Sequence, residues 1–288
     1  FIKQRRMIMP STYAHYRFGR DVFAKLPQDV KKIIQGNEDL FNIGVHGPDL
    51  LFYFKPLTKN HVNRVGYGQH DKPACDFFFP AAKAIKCSGY SSACLSYIFG
   101  VICHFCLDRE CHDYIDQKIN ESGVGHAEIE CEFDRGLMVR DGLNPLSHIL
   151  TKHIHPSKTY AAVISRFYSG ISSDEIYAAM KSYIFYNRLM RCPNFIKRGL
   201  IYGALRIIGK YDSFHGMIVN VKPNPKCKDS NEKLWQRYQK AIVRAVNLIC
   251  DFCGNADGSK PWSDIYNYTF GSKYIPNEQI MQAEGCKT

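Results

Sequence analysis

The stretch from Cys94 to Ile119, CLSYIFGVICHFCLDRECHDYIDQKI, constrains this chain most. It is almost wholly apolar up to Leu107 and charged beyond it. A helix apolar round its whole circumference must be covered on every side, so other helices have to surround it. The chain supplies them. Asp21 to Gln35 carries Val22, Leu26, Val30 and Ile33/Ile34 at a period near 3.6, with Gly36 as a stop. Phe77 opens a further helical, mostly buried stretch ahead of the central one, and a Ser122-Gly123 break separates the latter from a helix running from His126 to about Val139. Residues 157–190, split near Gly170, and 231–253, ended by Gly254, read as further helices. Residues 37–57 hold the Gly47-Pro48 turn and the apolar run Leu50–Phe54, and 58–75 is a loop by composition. Few segments alternate with period two, so the expected fold is all-α, a multi-helix bundle. One helical domain over 9–255 is expected, with 256–288 a tail packed on it or irregular.

At 288 residues, 45% hydrophobic and 23% charged, the composition is globular and excludes disorder. No apolar run reaches the roughly 18 residues of a membrane-spanning helix. The net charge of +11 is uneven: residues 1–141 hold 18 Lys/Arg against 17 Asp/Glu and seven of the eleven histidines, while 142–288 hold 20 against 10. A His- and carboxylate-rich part beside a basic part suits a metal site next to a surface that tolerates anions, or simply a solvated basic face. The twelve cysteines show no disulfide framework. Cys94, Cys103 and Cys250 lie in apolar helical stretches and are expected to be buried thiols. Cys103-x-x-Cys106 and Cys250-x-x-Cys253 lack the turn residues of a zinc knuckle. Free thiols and the absence of a visible secretory signal make cytoplasm the default expectation.

The chemistry concentrates in ICHFCLDRECHDYI and the GHAEIE that follows. His104 and Asp108 are i,i+4 on one helix face, His112 continues the stripe a turn later, and His126 and Glu130 repeat the spacing on the next helix. Two helices facing each other could gather five ligands in a bundle core. Asp108 follows so apolar a run that, unpaired, it would cost several kcal/mol. Metal coordination would remove that cost; pairing with Arg109 or Arg135 is the alternative. Upstream stand His15 in TYAHYRFG, His46 and Asp49 in GVHGPDLLF, and His70 ending GYGQH.

In this order the residues resemble the zinc-dependent phospholipase C family, which shares an all-α fold and a trinuclear zinc site with the S1/P1 single-strand nucleases. The family order of His, Asp, His, His-x3-Asp, His and His-x3-Glu is similar to His15, Asp49, His70, His104-x3-Asp108, His112 and His126-x3-Glu130, over roughly residues 9–135. The resemblance implies two to three Zn2+ ions: Asp49, His70, His104 and Asp108 on the first, His112, His126 and Glu130 on the second, and His15 with bridging Asp108 on the third. Asp49 is then the catalytic residue that orients the attacking water. Family enzymes complete the third site with an N-terminal Trp, which is missing here. Pro10, five residues before His15, is expected to replace it if Met9 is removed.

The implied activity is phosphodiester hydrolysis by a zinc-bound hydroxide, phospholipase C-like, on a phospholipid or related phosphoester. Contact with a membrane surface is possible, and nucleic acid is the less favoured substrate. Phe52-Tyr53-Phe54 and Phe77-Phe78-Phe79 could form an apolar rim, although such clusters are more often core. A single-strand nuclease would instead use Lys197, Arg198, Arg206 and Lys210 beside aromatic platforms. A non-enzymatic zinc-binding helical protein would need only His112, His126 and Glu130.

Overall fold

The computed structural model describes residues 11–276. Among the described residues there are twelve α-helices and no β-strand, as the all-α reading expects. The extended contacts among them are two isolated bridges, Pro73 with Thr269 and Tyr268 with Tyr274.

Helix α1 spans Thr12–Lys25 and α2 Gln28–Gln35. One helix was expected from Asp21 onward, but Pro27 interrupts it. A proline has no N–H to give the ladder and pushes the residue before it out of the helical region, and Leu26 is extended with ψ 152°. Helix α3 (Glu38–Gly44) leads into a 3-10 turn, Gly47–Tyr53, that carries Asp49. Helix α4 (His61–Asp71) occupies most of the stretch read as a loop. Asn60 and Asn63 form a reciprocal capping box that starts it. Gly66 is not a breaker there: a Cβ at that position would lie 3.0 Å from both Leu51 and the Pro48 carbonyl.

Helix α5 covers Cys75–Cys87 and α6 Ser92–Ser122, the long central helix. Gly123, left-handed at φ 69°, ends α6, and two residues later the chain enters α7 (His126–Arg140). Helices α8 (Lys158–Ser165) and α9 (Ser173–Met190) flank the expected break at Gly170. Helices α10 (Phe195–Ile207), α11 (Tyr211–Phe214) and α12 (Lys228–Asp257) complete the set. Helix α12 runs through the expected stop at Gly254 and ends instead before Gly258, which has the left-handed φ of 88° that closes a helix.

The apolar half of α6 is the axis of the core, with Ile98, Val101, Ile102, Cys103 and Phe105 fully buried. Gly44 and Gly100 let α3 and α6 cross backbone to backbone: a Cβ on Gly44 would collide with the Tyr97 carbonyl, and one on Gly100 with that of Phe41. This crossing lays the turn carrying Asp49 against α6. Beyond α12 the chain returns to the same core, where Tyr266 and Phe270 are fully buried against Phe105.

Cys94, Cys103, Cys106, Cys250 and Cys253 are free thiols, and Cys286 lies outside the described residues. Cys94 and Cys103 are buried as expected, whereas Cys250 is exposed because it sits on the outer side of α12. The aromatic triplets are mostly core: Phe52, Tyr53, Phe54, Phe77 and Phe78 are buried, whereas Phe79 is 40% exposed while packing on Trp262. No helix among the described residues is long and apolar enough to cross a membrane.

Candidate metal centre

Five elements converge on one buried cluster. His15 comes from α1, Asp49 from the 3-10 turn, and His70 from the last turn of α4. His104, Asp108 and His112 come from successive turns of α6, and His126 and Glu130 from the first turns of α7. Gly47 makes the approach of Asp49 possible. It has φ +47°, and a Cβ there would stand 2.6 Å from the His104 ring.

Asp108 occupies the middle. One carboxylate oxygen is 3.1 Å from His15 Nε2, and the other is 3.2 Å from His104 Nε2 and 3.5 Å from His70 Nε2. Asp49 faces His70 Nε2 at 3.0 Å and His104 Nε2 at 3.6 Å. Glu130 faces His126 Nε2 at 3.3 Å and His112 Nε2 at 3.6 Å. The donor atoms fall into three compact groups: His15, Asp49 and His104; His70, His104 and Asp108; and His112, His126 and Glu130. The arginine alternative for Asp108 is not realised. Arg109 pairs with Glu110, and Arg135 donates to the Asn220 carbonyl.

Backbone carbonyls fix two of the tautomers. His70 donates Nδ1–H to the Gly66 carbonyl at 3.0 Å, and His112 donates Nδ1–H to the Phe270 carbonyl at 3.0 Å. Each Nε2 is thereby turned toward the carboxylates, the arrangement in which an imidazole serves as a ligand. Several buried atoms here lack hydrogen-bond partners, among them Nε2 of His70, His104 and His126 and a carboxylate oxygen each of Asp49 and Glu130. A buried polar atom left this way costs about 1–3 kcal/mol. Their concentration at one point fits divalent cations, and a nitrogen and oxygen donor set without thiolate suits catalytic zinc.

The electrostatics agree. Burial alone would depress the His70 imidazole, but the negative carboxylates of Asp108 and Asp49 beside it raise its pKa to about 10. His112 rises likewise to about 9 against burial, through Asp108 and Glu130. Burial would raise Glu130, yet His126 and His112 hold it at about 2. Positive charge is thus favoured at His70 and His112, and a cation can take the place of these protons.

His46 is not in the cluster. It is fully buried, with Nε2 2.7 Å from His153 Nε2 and Nδ1 3.0 Å from the Tyr183 hydroxyl. Tyr183 donates onward to Thr12, and Thr12 to Asn187. Pro10 lies outside the described residues. Sequence reasoning missed His153, a lone loop histidine with no periodicity to mark it, and the carbonyl of Phe270, which no side chain announces. It also missed Asp134 of α7, which accepts from Ser11 Oγ, Tyr13 N–H and Ala14 N–H at 2.5, 2.9 and 2.7 Å. Asp134 satisfies the exposed amides at the start of α1 and so holds His15 in place.

A cleft opens beside Glu130, lined by Tyr53, Asn187, Met190, Arg191, Arg198 and Val219 among others. A smaller one reaches His15, Asp108 and His112 and shares Ser11 and Glu130 with the first. Among the described residues, the cluster is therefore bordered by two clefts.

An all-α bundle with a buried imidazole–carboxylate cluster beside an open cleft defines a metal-dependent class of protein. Residues 14–184, more than half of the chain, match the family model for zinc dependent phospholipase C, and the chain belongs to that family. At the family level this is a zinc-dependent hydrolase acting on phosphoesters. No curated protein and no solved structure matches the chain.

Proposed function

We propose that the chain hydrolyses phospholipids in the manner of a phospholipase C, with two to three zinc ions held by His15, Asp49, His70, His104, Asp108, His112, His126 and Glu130. The observation that carries this reading is the convergence of these eight side chains, seven of them buried, at the end of an open cleft. Asp49, His70, His104 and Asp108 are the set for one ion and His112, His126 and Glu130 for another, with His15 beside Asp108 completing a third. Zinc in such a site lowers the pKa of water toward about 7 and polarises phosphoryl oxygens.

The chain's own groups do the rest. The Asp49 carboxylate, with one oxygen lacking a hydrogen-bond partner, orients the attacking water and accepts its proton. The Arg191 guanidinium lines the cleft, donates to the Ser147 carbonyl and keeps a buried Nε without a partner. It offers positive charge to a phosphodiester entering from that side. Met190, Leu146, Leu150 and Val219 give the cleft an apolar wall suited to a glycerol backbone.

The nuclease alternative needs open aromatic faces beside Lys/Arg. Tyr211 is the nearest match, but Arg206 lies 4.1 Å from its ring centroid and His215 stacks on it at 4.9 Å. The test is zinc per chain by elemental mass spectrometry on protein purified without chelator, followed by assays on phosphatidylcholine and on single-stranded DNA. Two to three zincs and release of phosphocholine support the reading. Cleavage of DNA alone, or one zinc without turnover, overturns it in favour of the nuclease or of a structural site.

A further inference from the structure

Helix α10 is amphipathic with its apolar side facing outward. Leu205 is its single buried residue. Ile196, Leu200, Gly203 and Ile207 follow one another at spacings of four, three and four, so they form one stripe along the helix. The three large side chains of that stripe are 62%, 70% and 87% exposed, and Phe195 beside it is 83% exposed. Single exposed apolar residues are ordinary, but a continuous stripe of them marks an interaction surface.

The charges define the partner. Residues 188–210 contain six Lys/Arg (Arg188, Arg191, Lys197, Arg198, Arg206 and Lys210) and no carboxylate. Lys197 and Arg206 fall about a quarter-turn to either side of the stripe. Lys197, Arg191 and Arg198 donate to backbone carbonyls, and none of the six makes an ion pair among the described residues. An apolar stripe flanked by uncompensated cations matches the acyl and headgroup layers of an anionic bilayer. The helix carrying the stripe borders the cleft on its other side, because Arg198 lines the cleft wall with Met190, Arg191 and Cys192 of the α9–α10 junction.

We infer that α10 lies in the interface of an anionic membrane, with Ile196, Leu200 and Ile207 inserted and Lys197 and Arg206 on lipid headgroups. The proposed activity supplies only the choice of lipid, and docking is measured without turnover. The test is flotation of the zinc-loaded full chain with vesicles of equimolar phosphatidylglycerol and phosphatidylcholine, against pure phosphatidylcholine. Wild type is expected to float with the anionic vesicles, less so at high salt. The double variant Leu200→Asp/Ile207→Asp should lose about tenfold or more in partitioning. Its thermal midpoint, and its turnover of a soluble short-chain phosphodiester, should stay unchanged. Equal flotation of variant and wild type would overturn the inference. So would wild type that ignores anionic vesicles, or one that pairs through α10 into a dimer the variant dissolves. Flotation without any hydrolysis would count against the proposed activity and leave the docking surface standing.

Discussion

Asp108 faces His15, His70 and His104 within 3.5 Å, while Asp49 faces two imidazoles from the other side. The two carboxylates should therefore respond differently to the same change. Asp49→Asn is expected to keep the fold and most of the zinc and to lose about 10²-fold or more in turnover. Asp108→Asn removes the charge shared by several ligands and should strip the metal itself. Zinc analysis alongside initial rates separates the two, and equal metal loss in both would contradict this division of roles. A further residue-scale prediction concerns His153, whose pKa is pushed down to about 3 by burial and by His155 and His148. The unfolded imidazole titrates near 6.5, so unfolding takes up a proton in acid. This contribution to stability is present above pH 6.5 and is lost as pH falls toward 3. The thermal midpoint should drop less steeply between about pH 6.5 and 4 in His153→Gln than in wild type. At this scale much of the site was legible, because His104, Asp108, His112, His126 and Glu130 sit at helical spacing within one short stretch. His153 was not, since what pairs it with His46 is a contact across 107 residues of chain.

The elements bring these residues together through close contacts that pattern reading passes over. Helices α3 and α6 cross at Gly44 and Gly100, where a methyl group has no room. Gly100→Ala is expected to cost about 1–3 kcal/mol and to move the turn bearing Asp49 off α6, lowering turnover and thermal midpoint together. Undiminished turnover in a destabilised Gly100→Ala protein would show that the crossing does not position Asp49. Helix α4 shows why part of the fold stayed hidden. Its two glycines and polar residues mimic a loop, and the signal that overrides them is the Asn60–Asn63 capping box. The segment after α12 was least legible of all. Phe270 packs within 5.8 Å of the rings of His70, His104 and Phe105, and its carbonyl receives the His112 proton. Phe270→Ala should cost about 3–5 kcal/mol and weaken zinc retention during dialysis.

For the molecule as a whole, the cluster joins α1, α4, α6, α7 and the Asp49 turn, and the bundle holds them together around partly unsatisfied buried groups. Ions that bind only the folded state stabilise it by mass action, by about 2.7 kcal/mol at a hundredfold excess over the dissociation constant. Chelation should therefore lower the thermal midpoint by several degrees, with zinc restoring it. No shift on chelation would mean that the cluster is held without metal.

Ser272 adds to the reach of the C-terminal segment by donating to the Arg109 carbonyl at 2.6 Å. During synthesis these residues emerge long after Glu130, on the order of ten seconds later at ordinary elongation speed. Until then the His112 ring has no Phe270 carbonyl to fix its tautomer. A nascent chain carrying every candidate ligand thus still lacks one of the contacts that orient them, and full metal capture should follow, not precede, emergence of the Phe270 segment.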